Sequence, residues 1–148
     1  MTDRMLERAI SIAAEAHAGQ VDLGGQPYIL HPIRVMMRCR TEAERIAAVL
    51  HDVVEDTGRT FDDLRALGYS EEVVAALDCL TKREGEGYGA FVERAASNPI
   101  ARVVKLADIE DNLDLRRLPD ITDKDVERIG RYVRGWRRLQ DVITGSAK

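Results

Sequence analysis

One histidine and three carboxylates stand close together in the segment His51-Asp52-Val53-Val54-Glu55-Asp56. In a helix with about 100° per residue, these four polar side chains fall on one face, within less than half a turn. Carboxylates at this spacing repel one another, and the segment contains no lysine to compensate them. A bound divalent cation would supply the missing positive charge. The pattern therefore predicts a metal or catalytic site, and an ordinary solvated helix face is the alternative.

A second polar group lies on the mostly apolar segment 103–113. Lys105, Asp108 and Asn112 share the narrow polar edge of a predicted helix, and apolar side chains cover the remaining surface. Such a helix should be largely buried, and a buried aspartate needs a partner. The alternative to a functional role for Asp108 is an ion pair with Lys105 on the same helix, with Asn112 facing water.

His31, at the start of another predicted helix, is the third candidate. A lone histidine is more often structural than a ligand, so His31 gains weight only if it meets the other two segments in space. Two imidazoles with two carboxylates suit a borderline divalent ion such as manganese, iron or zinc, and not calcium. Further carboxylates beside such an ion would allow the site to activate water.

Helical periodicity extends over most of the chain, and strand signals are scarce. Glycines, prolines and capping residues divide the sequence into eight predicted helices. The first predicted helix spans 2–17, with Thr2 or Asp3 as its N-cap, and the second begins at 31. The third, fourth and fifth span 42–56, 60–68 and 70–82. The sixth begins after 89, the seventh begins at 98, and the eighth spans 122–143. A glycine-rich loop, 85–89, separates the fifth helix from the sixth. The sequence therefore predicts one all-α domain over 1–148, in which about eight helices surround a metal site.

Composition fits a folded domain and argues against several classes of protein. Of 148 residues, 45% are hydrophobic and 32% are charged, as in ordinary globular proteins. The formal net charge of −4 argues against a DNA- or RNA-binding protein, but one basic pocket would still bind a small phosphorylated ligand. No apolar run approaches the roughly 20 residues of a transmembrane helix. Cys39 and Cys79 lie far apart without CxxC spacing, which predicts reduced thiols in a cytoplasmic protein.

These residues and the sequences around them resemble a known family. The adjacent His51-Asp52, the upstream His31 and the later Asp108 are similar to the metal-binding signature of HD-domain phosphohydrolases. The longer matches resemble the hydrolase domain of the bifunctional alarmone enzymes, and more closely the stand-alone small alarmone hydrolases. In chain order they are Ala16-His17-Ala18-Gly19-Gln20, Gly25-Gln26-Pro27-Tyr28-Ile29-Leu30-His31-Pro32, His51-Asp52-Val53-Val54-Glu55-Asp56-Thr57, Leu80-Thr81-Lys82, and Lys105-Leu106-Ala107-Asp108 with Asp111-Asn112.

The resemblance implies a single HD phosphohydrolase domain and a particular reaction. That reaction is the Mn²⁺-dependent removal of the 3′-pyrophosphate from guanosine tetra- or pentaphosphate, (p)ppGpp, which releases pyrophosphate with GDP or GTP. By position, the metal ligands would be His31, His51, Asp52 and Asp108. Glu55 and Asp56 would orient and deprotonate the attacking water, and Asn112 would contact the ribose or a phosphate of the nucleotide.

Two positions depart from the family pattern and affect the choice of substrate. The long alarmone enzymes carry an Arg-Lys pair where this chain has Asp22-Leu23, and small relatives often have Asp followed by Lys. This departure makes an adenosine alarmone, or another nucleotide phosphorylated at its 3′ or 2′ position, a candidate substrate. We expect Leu23, Lys82, Lys105 and, from the glycine-rich loop, Tyr88 to contact the nucleotide. A solvated lysine and an exposed tyrosine are the alternatives.

Other functions stay open at this point. A second hypothesis keeps the fold and the metal but changes the substrate to a nucleoside monophosphate or to the 2′-phosphate of NADPH. A third hypothesis is a catalytically silent domain that senses a nucleotide, against which the intact Glu55-Asp56 pair argues. His17 either supports the site or is a buried structural residue, and both a monomer and a homodimer stay open. A stripe on the last helix is more simply a solvated face; it consists of Arg128, Arg131, Arg134 and Arg138.

Overall fold

The computed structural model describes residues 4–146, so the predicted caps Thr2 and Asp3 lie outside the described residues. Within 4–146 the regular structure consists of nine α-helices and one 3₁₀ helix, with a single β-bridge between Val21 and Pro27. The α-helices are α1 Met5–Ala16, α2 Leu30–Met37, α3 Glu42–Leu50, α4 Val53–Asp56, α5 Phe61–Ala66, α6 Glu71–Cys79, α7 Tyr88–Ala96, α8 Pro99–Asn112 and α9 Asp123–Thr144, and the 3₁₀ helix is Leu115–Arg117. The predicted all-α fold is confirmed.

Several helices begin where the sequence provides an N-capping residue. Thr60 and Thr122 each form a capping box, in which the hydroxyl accepts a hydrogen bond from the backbone N–H three residues later and the aspartate there accepts one from the threonine N–H. Ser70 and Asn98 cap α6 and α8 with their side-chain oxygens. These four predicted helix starts are confirmed.

The predicted helix 42–56 is interrupted in the structure. His51 and Asp52 lie in a turn between α3 and α4. The carbonyl oxygen of Ala48 accepts from the backbone N–H of His51 and also lies 2.6 Å from Nδ1 of the His51 ring. In a continuous helix that carbonyl would accept from Asp52 instead. The prediction of one unbroken helix is therefore wrong, because a side chain competes for the backbone acceptor.

The glycine-rich loop is shorter than predicted. Gly85 has a φ of +75°, which favours glycine, and Gly87 is the N-cap of α7. Tyr88 and Gly89, both expected in the loop, lie in the first turn of α7. The Tyr88 ring packs against Tyr132 of α9 with 6.0 Å between ring centroids. This packing favours the helical backbone over the freedom that Gly89 would otherwise allow.

Helix α3 lies at the centre of the main apolar core. Residues 46–50 are all buried, and α3 packs against α1, α2, α6 and α8. A second, smaller apolar cluster joins α7, α8 and α9 around Ile109 and Leu139. Because α8 contributes to both clusters, the polar edge of this helix is carried into the interior.

Two expectations drawn from composition concern membranes and disulfides. Among residues 4–146, none of the helices combines the length and the apolar composition needed to cross a lipid bilayer. Cys39 and Cys79 are both free thiols, and Cys39 is buried. The prediction that the two cysteines do not pair is confirmed.

Candidate metal centre

Three helices bring two histidines and one aspartate together in the interior. His31 comes from α2, His51 from the end of α3 and Asp108 from α8, and all three are buried. One ligand atom of each side chain lies within 4.8 Å of the other two. Oδ1 of Asp108 lies 2.9 Å from Nε2 of His31 and 3.5 Å from Nε2 of His51. The structure therefore joins polar groups from three separate segments into one cluster, called here the metal cluster.

Asp52 adds a second carboxylate beside the metal cluster. Its Oδ2 lies 3.1 Å from Nε2 of His51 and accepts a hydrogen bond from the hydroxyl of Tyr28. Burial raises the pKa of Asp52, but the charge and the hydrogen bond of His51 outweigh burial and lower this pKa to about 2. Asp52 is therefore ionised at neutral pH, and Tyr28 fixes the direction of its carboxylate.

Each imidazole is oriented through the ring nitrogen that faces away from Asp108. Nδ1 of His51 contacts the carbonyl of Ala48, which can only accept, so this nitrogen is the donor. Nδ1 of His31 lies 2.7 Å from Oδ2 of Asp111. Nε2 of His51 is buried and faces the two carboxylates, 3.1 Å from Oδ2 of Asp52 and 3.5 Å from Oδ1 of Asp108. This is the usual arrangement of a metal-binding histidine, whose second nitrogen is fixed by an outer acceptor.

The ionisable groups of the metal cluster hold protons that a bound cation would displace. Burial lowers the pKa of each histidine, but the neighbouring carboxylates outweigh burial and raise the pKa of His31 and His51 above the usual histidine value. Burial raises the pKa of Asp108, but the charge of Lys105 and the two imidazoles lower it well below the usual value. A divalent ion would displace the imidazole protons and bind the same atoms. Two imidazoles and two carboxylates fit a borderline divalent ion.

The ion pair that was the alternative interpretation of Asp108 is present. Nζ of Lys105 lies 3.0 Å from Oδ2 of Asp108, and Lys105 is only 7% exposed. The same ammonium group lies 4.4 Å from the ring centroid of Phe91 and 5.7 Å from that of Tyr88. Nδ2 of Asn112 donates to Oδ1 of Asp108 at 3.2 Å. Both carboxylate oxygens of Asp108 are therefore held by neighbouring side chains.

Asp111 is a functional candidate for which the sequence alone suggested no role. It is 1% exposed, and its carboxylate accepts from Nε and Nη2 of Arg34 at 2.8 and 3.1 Å, besides contacting His31. Burial raises the pKa of Asp111, but the hydrogen bonds of His31 and Arg34 outweigh burial and lower it to about 2. Its carbonyl accepts from Arg117 at 3.2 Å. The sequence feature that could have identified Asp111 is its spacing of three residues from Asp108, because residues three apart are neighbours on one face of a helix.

Glu55 and Asp56 lie on the short helix α4, and both are exposed. Partial desolvation by neighbouring residues and the charges of Asp52 and Asp56 raise the pKa of Glu55. Burial and the charge of Asp52 raise the pKa of Asp56. A carboxylate with a raised pKa accepts a proton more readily than an ordinary one, so both side chains have the electrostatics of a general base.

A cavity of about 390 Å³ opens beside the metal cluster. Its polar lining near the cluster consists of Tyr28, His31, Asp52, Asp108 and Asn112. The remaining lining comes from loop 21–24, from the chain around the 3₁₀ helix and from α9. Leu23 is part of this lining and is 68% exposed. Arg117 and Arg128 also line the cavity. No role was predicted for Arg117, and Arg128 was predicted on a solvated helix face but is half-buried at the cavity.

Some expected contacts lie outside this cavity. In the part of the chain that the structure describes, the cavity lining includes neither the predicted contacts Lys82, Lys105 and Tyr88 nor the predicted catalytic pair Glu55 and Asp56. Lys82 is exposed, and Tyr88 lies on α7 beside Lys105. His17 is buried, with Nδ1 3.0 Å from Oε1 of Gln20. The His17 ring also lies 4.9 Å from the ring of Tyr28, so it packs against the side chain that orients Asp52.

The relatives found among known proteins are named as 3′-pyrophosphohydrolases, as a bifunctional (p)ppGpp synthase/hydrolase and as GTP pyrophosphokinases. No family model matches the chain. The chain is 30% identical over 120 residues to the guanosine-3′,5′-bis(diphosphate) 3′-pyrophosphohydrolase of Aquifex aeolicus, a match that covers 73% of this chain and 17% of the relative. It is 33% identical over 124 residues to the bifunctional (p)ppGpp synthase/hydrolase SpoT of Escherichia coli K12, covering 74% of this chain and 18% of SpoT. The chain thus spans less than a fifth of the length of these relatives.

A solved structure covers nearly the whole chain. It belongs to a metazoan ortholog of SpoT that hydrolyzes ppGpp, with a TM-score of 0.77 and 26% sequence identity. The match covers 94% of this chain and 86% of the other. The resemblance inferred from the motifs and the predicted HD-domain fold are both confirmed.

Proposed function

We propose that this chain, a relative of the SpoT-type ppGpp hydrolases, is a metal-dependent phosphohydrolase that removes the 3′-pyrophosphate from an alarmone nucleotide. The observation that carries the proposal is the metal cluster of His31, His51 and Asp108, beside which a cavity of about 390 Å³ opens. The activity named for the relatives supports the same reaction class. Arg117 and Arg128 line the cavity and would supply charge-assisted hydrogen bonds to the phosphates of a ligand.

One divalent ion, for which we propose Mn²⁺, would be held by His31, His51, Asp52 and Asp108. The mixed nitrogen and oxygen donors suit such a borderline ion. When bound, the ion activates water and neutralises the charge that develops on the phosphoryl group. The contribution of the protein is to fix the four ligand side chains in advance, through the hydrogen bonds and the ion pair described above.

Glu55 and Asp56 would accept the proton of the attacking water. Glu55 follows Asp52 by three residues, so α4 carries the base just beyond a proposed ligand. The neighbouring charge of Asp52 helps to raise the pKa of each side chain, which makes each a better proton acceptor than an ordinary carboxylate. Because both side chains are exposed, the proton can pass from them to solvent.

Asn112 and Leu23 would contact the nucleotide. The amide nitrogen of Asn112 is engaged with Asp108, which leaves its amide oxygen to accept from a ribose hydroxyl. Leu23 offers an exposed apolar side chain to the base. We propose that Arg117 and Arg128 bind the phosphates, in the role that the sequence suggested for Lys82, Lys105 and Tyr88.

Product analysis tests this function. The protein is incubated with Mn²⁺ and either a guanosine or an adenosine 3′-pyrophosphate nucleotide, and the products are separated by anion-exchange chromatography. We expect pyrophosphate together with an intact 5′-diphosphate, and the faster substrate shows which base the lining around Leu23 prefers. Release of no pyrophosphate from either nucleotide by the Mn²⁺-loaded protein would contradict the proposal.

The variant Glu55→Gln separates turnover from binding. We expect it to keep the affinity for Mn²⁺ and to lose at least about 100-fold in kcat, because the amide cannot accept the proton. Glu84→Gln, at an exposed position in the loop before α7, serves as the matched control. Equal kcat values for the two variants would remove Glu55 from the reaction.

A further inference from the structure

A second cavity, called here the arginine groove, has a volume of about 620 Å³ and lies between α7 and α9. Its lining consists of Tyr88, Gly89, Val92, Glu93, Arg131, Arg134, Gly135 and Arg138. None of these residues lines the cavity beside the metal cluster. The arginine groove is therefore distinct from the cavity beside the metal cluster, and the proposed hydrolysis assigns no role to its residues.

One side of the arginine groove is strongly basic. Glu93 accepts from Nε of Arg138 at 2.9 Å through both carboxylate oxygens, and this pair holds Arg138 across the groove. Arg131 and Arg134 form no ion pair with any carboxylate of residues 4–146. Two guanidinium groups with unused donors, three residues apart on one helix, offer charge-assisted hydrogen bonds to a phosphate group.

The floor of the arginine groove is apolar and open. A Cβ atom on Gly135 would lie 3.2 Å from Cγ2 of Val92 and 3.3 Å from the Tyr88 ring, so α9 approaches α7 closely at this point. A Cβ atom on Gly89 would meet nothing within 4 Å. Gly89 therefore leaves an open slot on the α7 side of the groove, where Tyr88 also lines it, and aromatic rings bind nucleic-acid bases by stacking.

We propose that the arginine groove binds a phosphorylated nucleoside. The phosphates interact with Arg131 and Arg134, and the base lies against the partly exposed ring of Tyr88. Charge and shape both favour this occupant, because an inorganic anion would leave the apolar floor uncovered and an uncharged apolar molecule would form no charge-assisted hydrogen bond with the exposed guanidinium groups.

Calorimetric titration of the metal-free protein with GDP tests the proposal. We expect Arg134→Gln to weaken GDP binding about tenfold, the effect of losing one charge-assisted hydrogen bond. Arg137→Gln is the matched control, since it removes the same charge from the same helix at an exposed position outside the groove. Gly89→Leu should abolish binding by filling the slot, and the change from glycine within a helix favours folding. Asn112→Ala distinguishes GDP bound beside the metal cluster, which this variant alone would weaken.

Three results would overturn the proposal. The first is GDP affinity that is unchanged in both Arg134→Gln and Gly89→Leu. The second is inorganic pyrophosphate that binds the wild type as tightly as GDP does, since a simple anion site would then suffice. The third is a decrease in sedimentation coefficient in Gly89→Leu, which would make the groove an interface between copies of this chain.

Discussion

The two metal-cluster histidines depend on two different acceptors for their orientation. Asp111 fixes His31 through a charged side chain, and a backbone carbonyl fixes His51. A carboxylate acceptor also increases the electron density of the ring it contacts, so His31 should be the stronger nitrogen ligand of the two. Asp111 is therefore the residue outside the cluster whose replacement should affect metal binding most.

Asp111→Asn should weaken Mn²⁺ binding by about 10- to 100-fold, because an amide orients His31 less firmly and adds no negative charge. The measurement is a Mn²⁺ titration, with urea unfolding in EDTA to follow stability separately. Asp114→Asn is the control, because Asp114 pairs with the exposed Arg116 and not with a histidine. Similar Mn²⁺ affinity in the two variants would contradict the positioning role.

Lys105→Met should destabilise the metal-free protein by about 3 kcal/mol, since it leaves Asp108 without its buried ammonium partner. Mn²⁺ should recover much of this loss by supplying positive charge at the same carboxylate. The measurement is urea unfolding with EDTA and with Mn²⁺. Lys82→Met, at an exposed position, is the control, and equal unfolding free energies of the two variants in EDTA would show that the ion pair contributes nothing.

The helices show which parts of the fold are local. The starts of α5, α6, α8 and α9 were predictable because a cap and its partner lie within three residues. The interruption at His51-Asp52 was not predictable, because it depends on where the His51 ring is directed by the packed protein. Likewise, Tyr88 is helical because its ring packs against Tyr132 of α9. A contact with so distant a residue cannot be predicted from the spacing of the glycines around Tyr88.

The loop 21–24 and the 3₁₀ helix meet at Gly24, where a Cβ atom would lie 2.5 Å from the carbonyl oxygen of Arg117. Gly24→Ala should therefore separate these two walls of the cavity, raise the KM for the nucleotide by about tenfold, and leave Mn²⁺ affinity unchanged. Steady-state kinetics and a Mn²⁺ titration measure the two effects. Gly58→Ala, whose Cβ would meet nothing within 4 Å, is the control. An unchanged KM in Gly24→Ala would show that the loop does not shape the substrate site.

At the scale of the molecule, the metal cluster draws its members from α2, α3 and α8, which pack on one another through the main core. Its location was anticipated from three sequence segments together with the family resemblance. The side chains that support it were not anticipated, since Tyr28 contacts a residue 24 positions away and Arg34 one 77 positions away. Contacts over such distances depend on the tertiary fold and leave no local signal.

Mn²⁺ at 100 times its dissociation constant should increase the free energy of unfolding by about 2.7 kcal/mol, because an ion held by three helices binds the folded state only. The midpoint of urea unfolding with and without Mn²⁺ measures this, and EDTA should reverse the gain. His51→Ala should remove it. An equal gain in His51→Ala and the wild type would place the ion elsewhere.

The carbonyl of Ala48 has a wider significance, because one acceptor both ends α3 and selects the tautomer of His51. If the chain were straightened into a regular helix, this oxygen would return to the N–H of Asp52, and the imidazole would be free to carry its proton on either nitrogen. The break between α3 and α4 thus determines which nitrogen of His51 carries the proton and which is left to bind a metal ion. A redesign that made this helix regular would remove the hydrogen bond that prepares His51 for the proposed metal ion.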